Sequence, residues 1–232
     1  MEDSLGFMAD LHPLRQIRIL EHLTQEEIAF LDKNKQCKIY KKSELVFKEN
    51  SFPKALFCVF EGKVKVFQSG HDGKEQIVHL IGKGDIMGHR ALCGGDRFSC
   101  SGVAMEDSRI CLIPREVFMQ LIHVSPKLSF RIAELLADEL KEAEMKITHM
   151  AQSSVRSRLA SVLIELIDSF GYKADQKTLN VHLSREDLAA LAGTTRESVT
   201  RMLKDLTTLG AIQIQGKNIQ IIQSELLRTA FH

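Results

Sequence analysis

The chain has 232 residues, 44% hydrophobic and 26% charged, with 31 Lys and Arg against 30 Asp and Glu and a formal net charge of +1. This is a globular composition, long enough for two domains with their own cores, and no apolar run approaches the roughly 18 residues of a membrane span. It excludes a strongly basic nucleic-acid binder. From Ala151 onward 10 Lys and Arg stand against 8 Asp and Glu, a surplus of two, so any contact with a polyanion must come from local placement of charge.

The opening stretch, MEDSLGFMADLHPLRQ, is acidic and lacks a long apolar region, so it does not read as a signal peptide. With no membrane span, a cytoplasmic protein is expected. A short helix is expected over Thr24–Asn34, its start marked by the capping-box pattern TQEE. Nine of the 14 glycines then fall between Gly62 and Gly102, separating the β-rich runs LFCVFEGKVKVF, EQIVHLIGKGD and RICLIP. Alternating Val and Phe flanked by Gly signal strands joined by tight turns, hence a small β-roll or barrel over about residues 35–115. The five cysteines, Cys37, Cys58, Cys93, Cys100 and Cys111, contain no CxxC pair. An odd count in a cytoplasmic chain argues against a disulfide framework and for small core residues.

After the last proline, Pro126, the pattern changes to a long helix. Ile132, Leu136, Leu140, Ala143, Ile147 and Met150 are spaced close to a coiled-coil repeat. A seam of that length beside a small β-domain is expected to pair two copies, since much of it otherwise faces water. A break at AQSSVRSR precedes an amphipathic helix, Val155–Phe170, that ends at Gly171. Lys173–Asn180 reads as a turn or short strand. Ser184 then opens another helix, with Asp187 completing an approximate capping box.

Residues 185–204 read REDLAALAGTTRESVTRMLK. Ala189 is small where two helices would cross, Gly193 can turn the chain sharply, and Val199 and Met202 return the second helix to a core. This is the pattern of a helix-turn-helix. Downstream, AIQIQGKNIQII alternates Ile and Gln around Gly216, Lys217 and Asn218, a hairpin signature. A helix-turn-helix followed by a hairpin is a winged helix. Helical spacing brings Arg196, Glu197, Thr200 and Arg201 to neighbouring outward positions. In the major groove of double-stranded DNA, arginine can donate two bonds to guanine and glutamate can accept from the cytosine amino group. Thr200 can meet a thymine methyl or a phosphate, and Lys217 on the wing a phosphate. The competing reading of Arg196 and Glu197 is an exposed ion pair, worth at most about 1 kcal/mol.

The whole arrangement resembles the superfamily of bacterial transcription regulators that includes the cyclic-AMP receptor protein and the fumarate–nitrate reduction regulator. The resemblance covers nearly the whole chain and is strongest in SREDLAALAGTTRESVTRMLKDL, above all in R-E-S-V-T-R. It implies an α+β fold: a cyclic-nucleotide-binding-like β-roll as sensor domain (residues 1–125), a dimerisation helix (126–152) and a C-terminal winged helix-turn-helix (153–232). It also implies a homodimer on a palindrome with half-sites close to TGTGA or TTGA, and RNA polymerase as a partner. Arg196, Glu197 and Arg201 would read bases, with Ser184, Thr195, Ser198, Thr200 and Lys217 completing the DNA surface.

In that family a phosphate-binding cassette follows a glycine-rich turn; here the region is GKGDIMGHRALCGGDRFSCSG. Gly84, Asp85 and Gly88 match the frame. The family's ribose-binding glutamate after Gly88 is His89 here, and its phosphate-binding Arg-Ser pair is Ser99 and Cys100. Arg90 and Arg97 do not stand at the matching position. On the long helix, the hydroxyl residues that meet adenine correspond to Ala143 and Glu144. The candidate effector pocket is therefore Gly88, His89, Arg90, Ser99, Cys100, Ala143 and Glu144. A buried phosphate without a bidentate cation is costly, so cyclic AMP is not the expected effector. An iron–sulfur cluster is not expected either, because no cysteine precedes Cys37. The alternative is a sensor gated by haem or another small molecule, using the His89/Cys100 pocket, with His71, His79 and His123 elsewhere in or near the β-roll. An enzyme built on His89, Cys93 or Cys100 is not expected, since nothing nearby supplies an orienting acid. No metal site is expected.

Overall fold

The structure is a computed structural model that describes residues 12–70 and 73–229. The expected domain limits at residues 1 and 232, and His71, lie outside the described residues. The chain divides into two compact units, Met1–Val66 with Leu80–Asp138 and Phe67–His79 with Glu139–His232.

The first unit opens with two 3-10 turns and helix α1 (Gln25–Asn34). Thr24 starts α1 through a capping box: its hydroxyl accepts from the Glu27 N–H, and the Glu27 carboxylate accepts from the Thr24 N–H at 2.7 Å. Eight strands follow along the chain: β1 (Gln36–Tyr40), β2 (Leu45–Phe47), β3 (Ala55–Glu61), β4 (Val64–Ser69), β5 (Glu75–Ile81), β6 (Ile86–Met87), β7 (Ser101–Ala104) and β8 (Ser108–Pro114), with helix α2 (His89–Gly94) between β6 and β7; the end of β4 and most of β5 fall in Phe67–His79, which is counted with the second unit. They form two four-stranded sheets, β1-β8-β3-β6 and β2-β7-β4-β5. Strand β3, ALFCVFE, is buried along all but its last residue, because both of its faces are covered. Gly62, at φ +91°, makes the turn from β3 to β4; a Cβ there would sit 2.6 Å from the Ser108 backbone, which only glycine avoids.

The register of these strands corrects the reading of the cysteines. Cys37 on β1 faces Cys111 on β8, and Cys111 in turn faces Cys58 on β3. Cys37 and Cys111 are joined by a disulfide. Cys58 and Cys100 are buried free thiols and Cys93 is an exposed one. Antiparallel pairing brings Cβ atoms of facing residues to bonding range, and no spacing rule reveals that for strands 74 residues apart.

Helix α3 (Arg115–Val124) lays Phe118 and Leu121 into a core shared with Leu14, Leu20, Ile28, Leu31, Leu56 and Ile113. The following helix α4 (Pro126–Gln152) adds Leu128 and Ile132 to the same core, with Leu136 packed partly against it. Ile132, 5% exposed, therefore belongs to its own unit and is removed from the expected dimer seam. The reason is helical geometry: successive steps of four residues rotate the side chain by about 40° each. Over the eight residues from Ile132 to Leu140 the drift reaches about 80°, which carries this row from the core of the first unit towards solvent. The exposed large apolar residues of α4 are Phe130, Leu140, Met145, Ile147 and Met150, with Ala133 and Ala137 also exposed. Of the remaining seam residues, Ala143 and Met150 are exposed.

The second unit contains the end of α4, then α5 (Val155–Phe170), α6 (Arg185–Ala192), α7 (Arg196–Thr208), the hairpin β9 (Ile212–Gln215) and β10 (Asn218–Ile221), and α8 (Ser224–Thr229). Its core is built from Leu159, Leu163, Leu188, Val199, Leu203, Leu206 and Leu227, all at 1% exposure or less. Lys146 ties α4 to α5 through Glu165 at 3.2 Å.

Candidate nucleic-acid interface

Helix α6 begins at Ser184, whose hydroxyl accepts from the Asp187 N–H while the Asp187 carboxylate accepts from the Ser184 N–H. It ends at Gly193, at φ +59° and ψ +51°, the left-handed conformation that lets the chain reverse into α7. Arg158 of α5 secures this turn. Its guanidinium donates to the carbonyls of Ala192 (2.8 Å), Gly193 (3.2 Å) and Ser153 (2.8 Å). A cation on the last carbonyls of a helix also meets the negative end of its dipole. Met150 lies against the turn, with its terminal methyl 3.0 Å from where a Gly193 Cβ would be. Replacing Gly193 by valine is expected to cost about 1–3 kcal/mol, since a β-branched residue resists positive φ. Thermal unfolding of the second unit reads the loss, and asparagine at the same position is expected to retain more of the stability.

Helix α7 is capped by Thr195, whose hydroxyl accepts from the Ser198 N–H and donates to Ser198 Oγ at 3.1 Å. Val199, Leu203 and Leu206 anchor it in the core. Met202, expected inside with Val199, is only half buried, and Leu203 takes the inner position. Thr195, Arg196, Glu197, Thr200 and Arg201 are exposed and Ser198 is half buried. Arg196 pairs with Glu186 of α6 at 3.1 Å, so the surface ion pair exists, though its acid is Glu186 rather than Glu197. Among the described residues, no hydrogen bond or ion pair engages the side chains of Glu197 or Arg201. Thr200 donates its hydroxyl to the Arg196 carbonyl at 2.8 Å, leaving its γ-methyl for apolar contact. Lys217 is exposed at the hairpin turn.

At the base of the hairpin, Lys173 donates to Asn218 Oδ1 at 2.9 Å and lies 3.2 Å from His182 Nε2. This cluster and Arg158 escaped sequence reasoning; each joins residues from segments far apart in the chain. Beside it, Asp175 closes the loop before α6 by accepting from the Thr178 hydroxyl and from the backbone N–H groups of Thr178 and Lys177. The Thr178 hydrogen bonds first, then the backbone of Lys177, hold its carboxyl down at about 2. The carboxylate form thus belongs to the folded loop. Its stabilising effect is full above the ordinary value of 3.8 and is lost as pH falls through about 2. An NMR titration is expected to show the Asp175 carboxyl unprotonated at pH 3, and Asp175→Ala is expected to flatten the acid dependence of the loop's stability.

In the first unit the expected cassette residues are spread between inside and outside. Gly88 precedes α2 at φ +89° and lies against Phe57 and Phe98. His89 and Cys100 are buried, while Arg90 and Ser99 are exposed. Ser99 Oγ and Cys100 Sγ are 3.5 Å apart. Phe98 stacks at 4.6 Å on Phe47, which packs on Phe57 at 5.5 Å. Arg97 sits over the Phe52 ring at 3.9 Å and donates to the Asn50 carbonyl at 2.8 Å. Ala143 and Glu144 lie on α4 in the second unit, both exposed. Among the described residues no three His, Cys, Asp or Glu side chains converge as metal ligands, and no helix is long and apolar enough to cross a membrane.

An eight-stranded roll leading through a long helix into a winged helix-turn-helix defines a class: DNA-binding regulators with a sensor-type domain. The comparisons with known proteins identify the family. Residues 37–125 match the cyclic nucleotide-binding domain and residues 157–230 the Crp-like helix-turn-helix domain. The chain belongs to the CRP/FNR family of transcription regulators. It is 29% identical over 205 residues to the cyclic AMP receptor protein of Thermus thermophilus, covering 88% of this chain and 92% of that one. It is 27% identical over 220 residues to the fumarate and nitrate reduction regulatory protein of Vibrio cholerae, covering 94% and 88%. In fold it matches FixK2 of Bradyrhizobium japonicum with a TM-score of 0.77 at 22% identity, covering 85% of this chain and 98% of that one. These relatives are regulators, and the chain is a transcription regulator with a DNA-binding domain rather than an enzyme.

Proposed function

We propose that the protein acts in the cytoplasm as a homodimer on a palindromic DNA site, one α7 helix per half-site. Glu197 and Arg201 read base edges, Arg196 and Thr200 flank them, and Ser184, Thr195, Ser198 and Lys217 meet the sugar-phosphate backbone. The observation that carries this reading is the unspent polar edge of α7. Glu197 and Arg201 stand exposed with no ion pair among the described residues, on a helix anchored by three buried apolar side chains. Repeated selection of duplexes from a random-sequence pool tests it. The enriched sequences are expected to be two-fold symmetric, with half-site centres about one helical turn apart. A pool that shows no symmetric consensus would overturn the reading. RNA polymerase is the partner the family resemblance supplies.

We also infer that cyclic AMP is not the effector. Ser99 and Cys100 replace the family's phosphate-binding pair, and Arg97 is engaged by Phe52 and Asn50. Calorimetry with purified protein is expected to give no saturable heat with cyclic AMP; tight saturable binding would contradict this.

A further inference from the structure

Cys37, Cys111 and Cys58 stand in one row across three neighbouring strands, β1, β8 and β3, each facing the next in register. Facing residues of antiparallel strands project to the same side of the sheet. Cys111 thus has a sulfur-bearing neighbour on either hand, and its bond runs to Cys37. The two neighbours differ sharply. Cys37 is exposed and lies on β1, which is an edge strand. Cys58 is fully buried on β3, and burial pushes its thiol up to about 12.

Thiol–disulfide exchange needs a thiolate and access to a sulfur. A thiol titrating near 12 is ionised in roughly one molecule in 100,000 at pH 7, so Cys58 is a poor internal attacker. Of the two bonded residues, Cys37 is exposed and Cys111 is buried, so an outside reagent approaches from the Cys37 side. The setting adds a second argument, which rests on the DNA-binding reading above. A regulator that works on DNA sits in a reducing compartment, where disulfides that form are mostly transient and redox-sensing.

We propose that the Cys37–Cys111 bond is a reversible redox site. It is opened by a dithiol of the thioredoxin type and closed by a disulfide oxidant such as glutathione disulfide. In opening, a thiolate of the dithiol attacks Cys37 Sγ and Cys111 leaves as a thiolate that takes up a proton. The second thiol of the dithiol then displaces Cys37, which is protonated in turn. The dithiol becomes a disulfide, and the protein gains two electrons and two protons. In closing, the Cys37 thiolate attacks glutathione disulfide and releases one glutathione. Cys111 then displaces the second. Opening removes the disulfide that ties edge strand β1 to its neighbour, β8.

The test equilibrates the full chain in glutathione buffers of graded redox poise, quenches with acid, alkylates after denaturation and counts labels by mass. With five cysteines and one disulfide, wild type is expected to pass from three labels to five, both appearing together. Cys37→Ser is expected to carry four labels at every poise. Cys58→Ser is expected to pass from two to four with an unchanged midpoint. Hydrogen exchange on the same samples is expected to quicken at Gln36–Tyr40 on reduction while β3 stays protected. Five labels on wild type at every poise would overturn the site. So would a poise-dependent change in Cys37→Ser, or a transition lost in Cys58→Ser. DNA affinity is measured separately on both forms. Loss of binding in both would count against the DNA reading and leave the labelling result to decide the redox site.

Discussion

Replacing Leu140 by glutamate is expected to leave the protein monomeric and to weaken its binding to palindromic DNA by about 10²–10⁴-fold, because two linked half-site contacts become one. Leu140 is 62% exposed and Ile147, seven residues on, is 69% exposed. Large apolar side chains repeated every seven residues form a stripe that a second helix covers well, and leaving them in water forgoes about 25 cal/mol per Å² of apolar surface. A glutamate in such a seam would be a buried charge without a partner in either copy. Sedimentation reads the mass, and binding curves on the palindrome and on an isolated half-site read the linkage. The variant is expected to bind the half-site about as well as wild type. If it still sediments as a dimer, the stripe on α4 is not the interface. Ile132→Glu is expected to behave differently, destabilising the first unit, because Ile132 is part of that unit's core.

Arg201→Ala is expected to cost about 1–3 kcal/mol of specific binding per half-site, the value of one bidentate base contact. Arg201 makes no bond inside the protein among the described residues, so its removal leaves no buried partner unsatisfied and the fold intact. The loss should fall on the selected sequence and spare scrambled DNA. An equal loss on both would show that Arg201 meets only phosphate. Arg196→Ala is a useful contrast. Its guanidinium pairs with Glu186 across the turn at 3.1 Å, with both side chains exposed. Such pairs contribute little to stability, so a marked loss of DNA affinity in this variant would come from the interface.

Much of the helix-turn-helix and hairpin that carry the proposed DNA-reading residues was legible because its signals are local. Ser184 with Asp187, Gly193, and the Gly216 turn each act within a few residues, and each element lies where these residues place it. Which residues of α4 face solvent, and so could form the proposed seam, was legible only in part. Ile132 and Leu136 match the apolar spacing, yet which face of a helix meets its own core depends on α3 and the β-roll, and sequence spacing alone does not carry that. The Cys37–Cys111 bond was hidden for a related reason. It follows from the register between β1 and β8, which the whole sheet sets. Arg158 looks like any helix arginine until α5 lies beside the turn after α6. In the cassette, the replacements at His89, Ser99 and Cys100 were visible by comparison with the family pattern. The packing of Phe47, Phe57 and Phe98 behind Gly88 was not, because it joins three separate strands and loops.

The most direct test is the ratio of affinities of the full-length protein for its selected palindrome and for a scrambled duplex of the same composition, at physiological salt. A dimeric reader of base edges predicts a ratio of about 10³ or more, falling towards that of a single half-site when one half is inverted. A ratio near one, with affinity that depends on salt alone, would contradict sequence-specific recognition by α7.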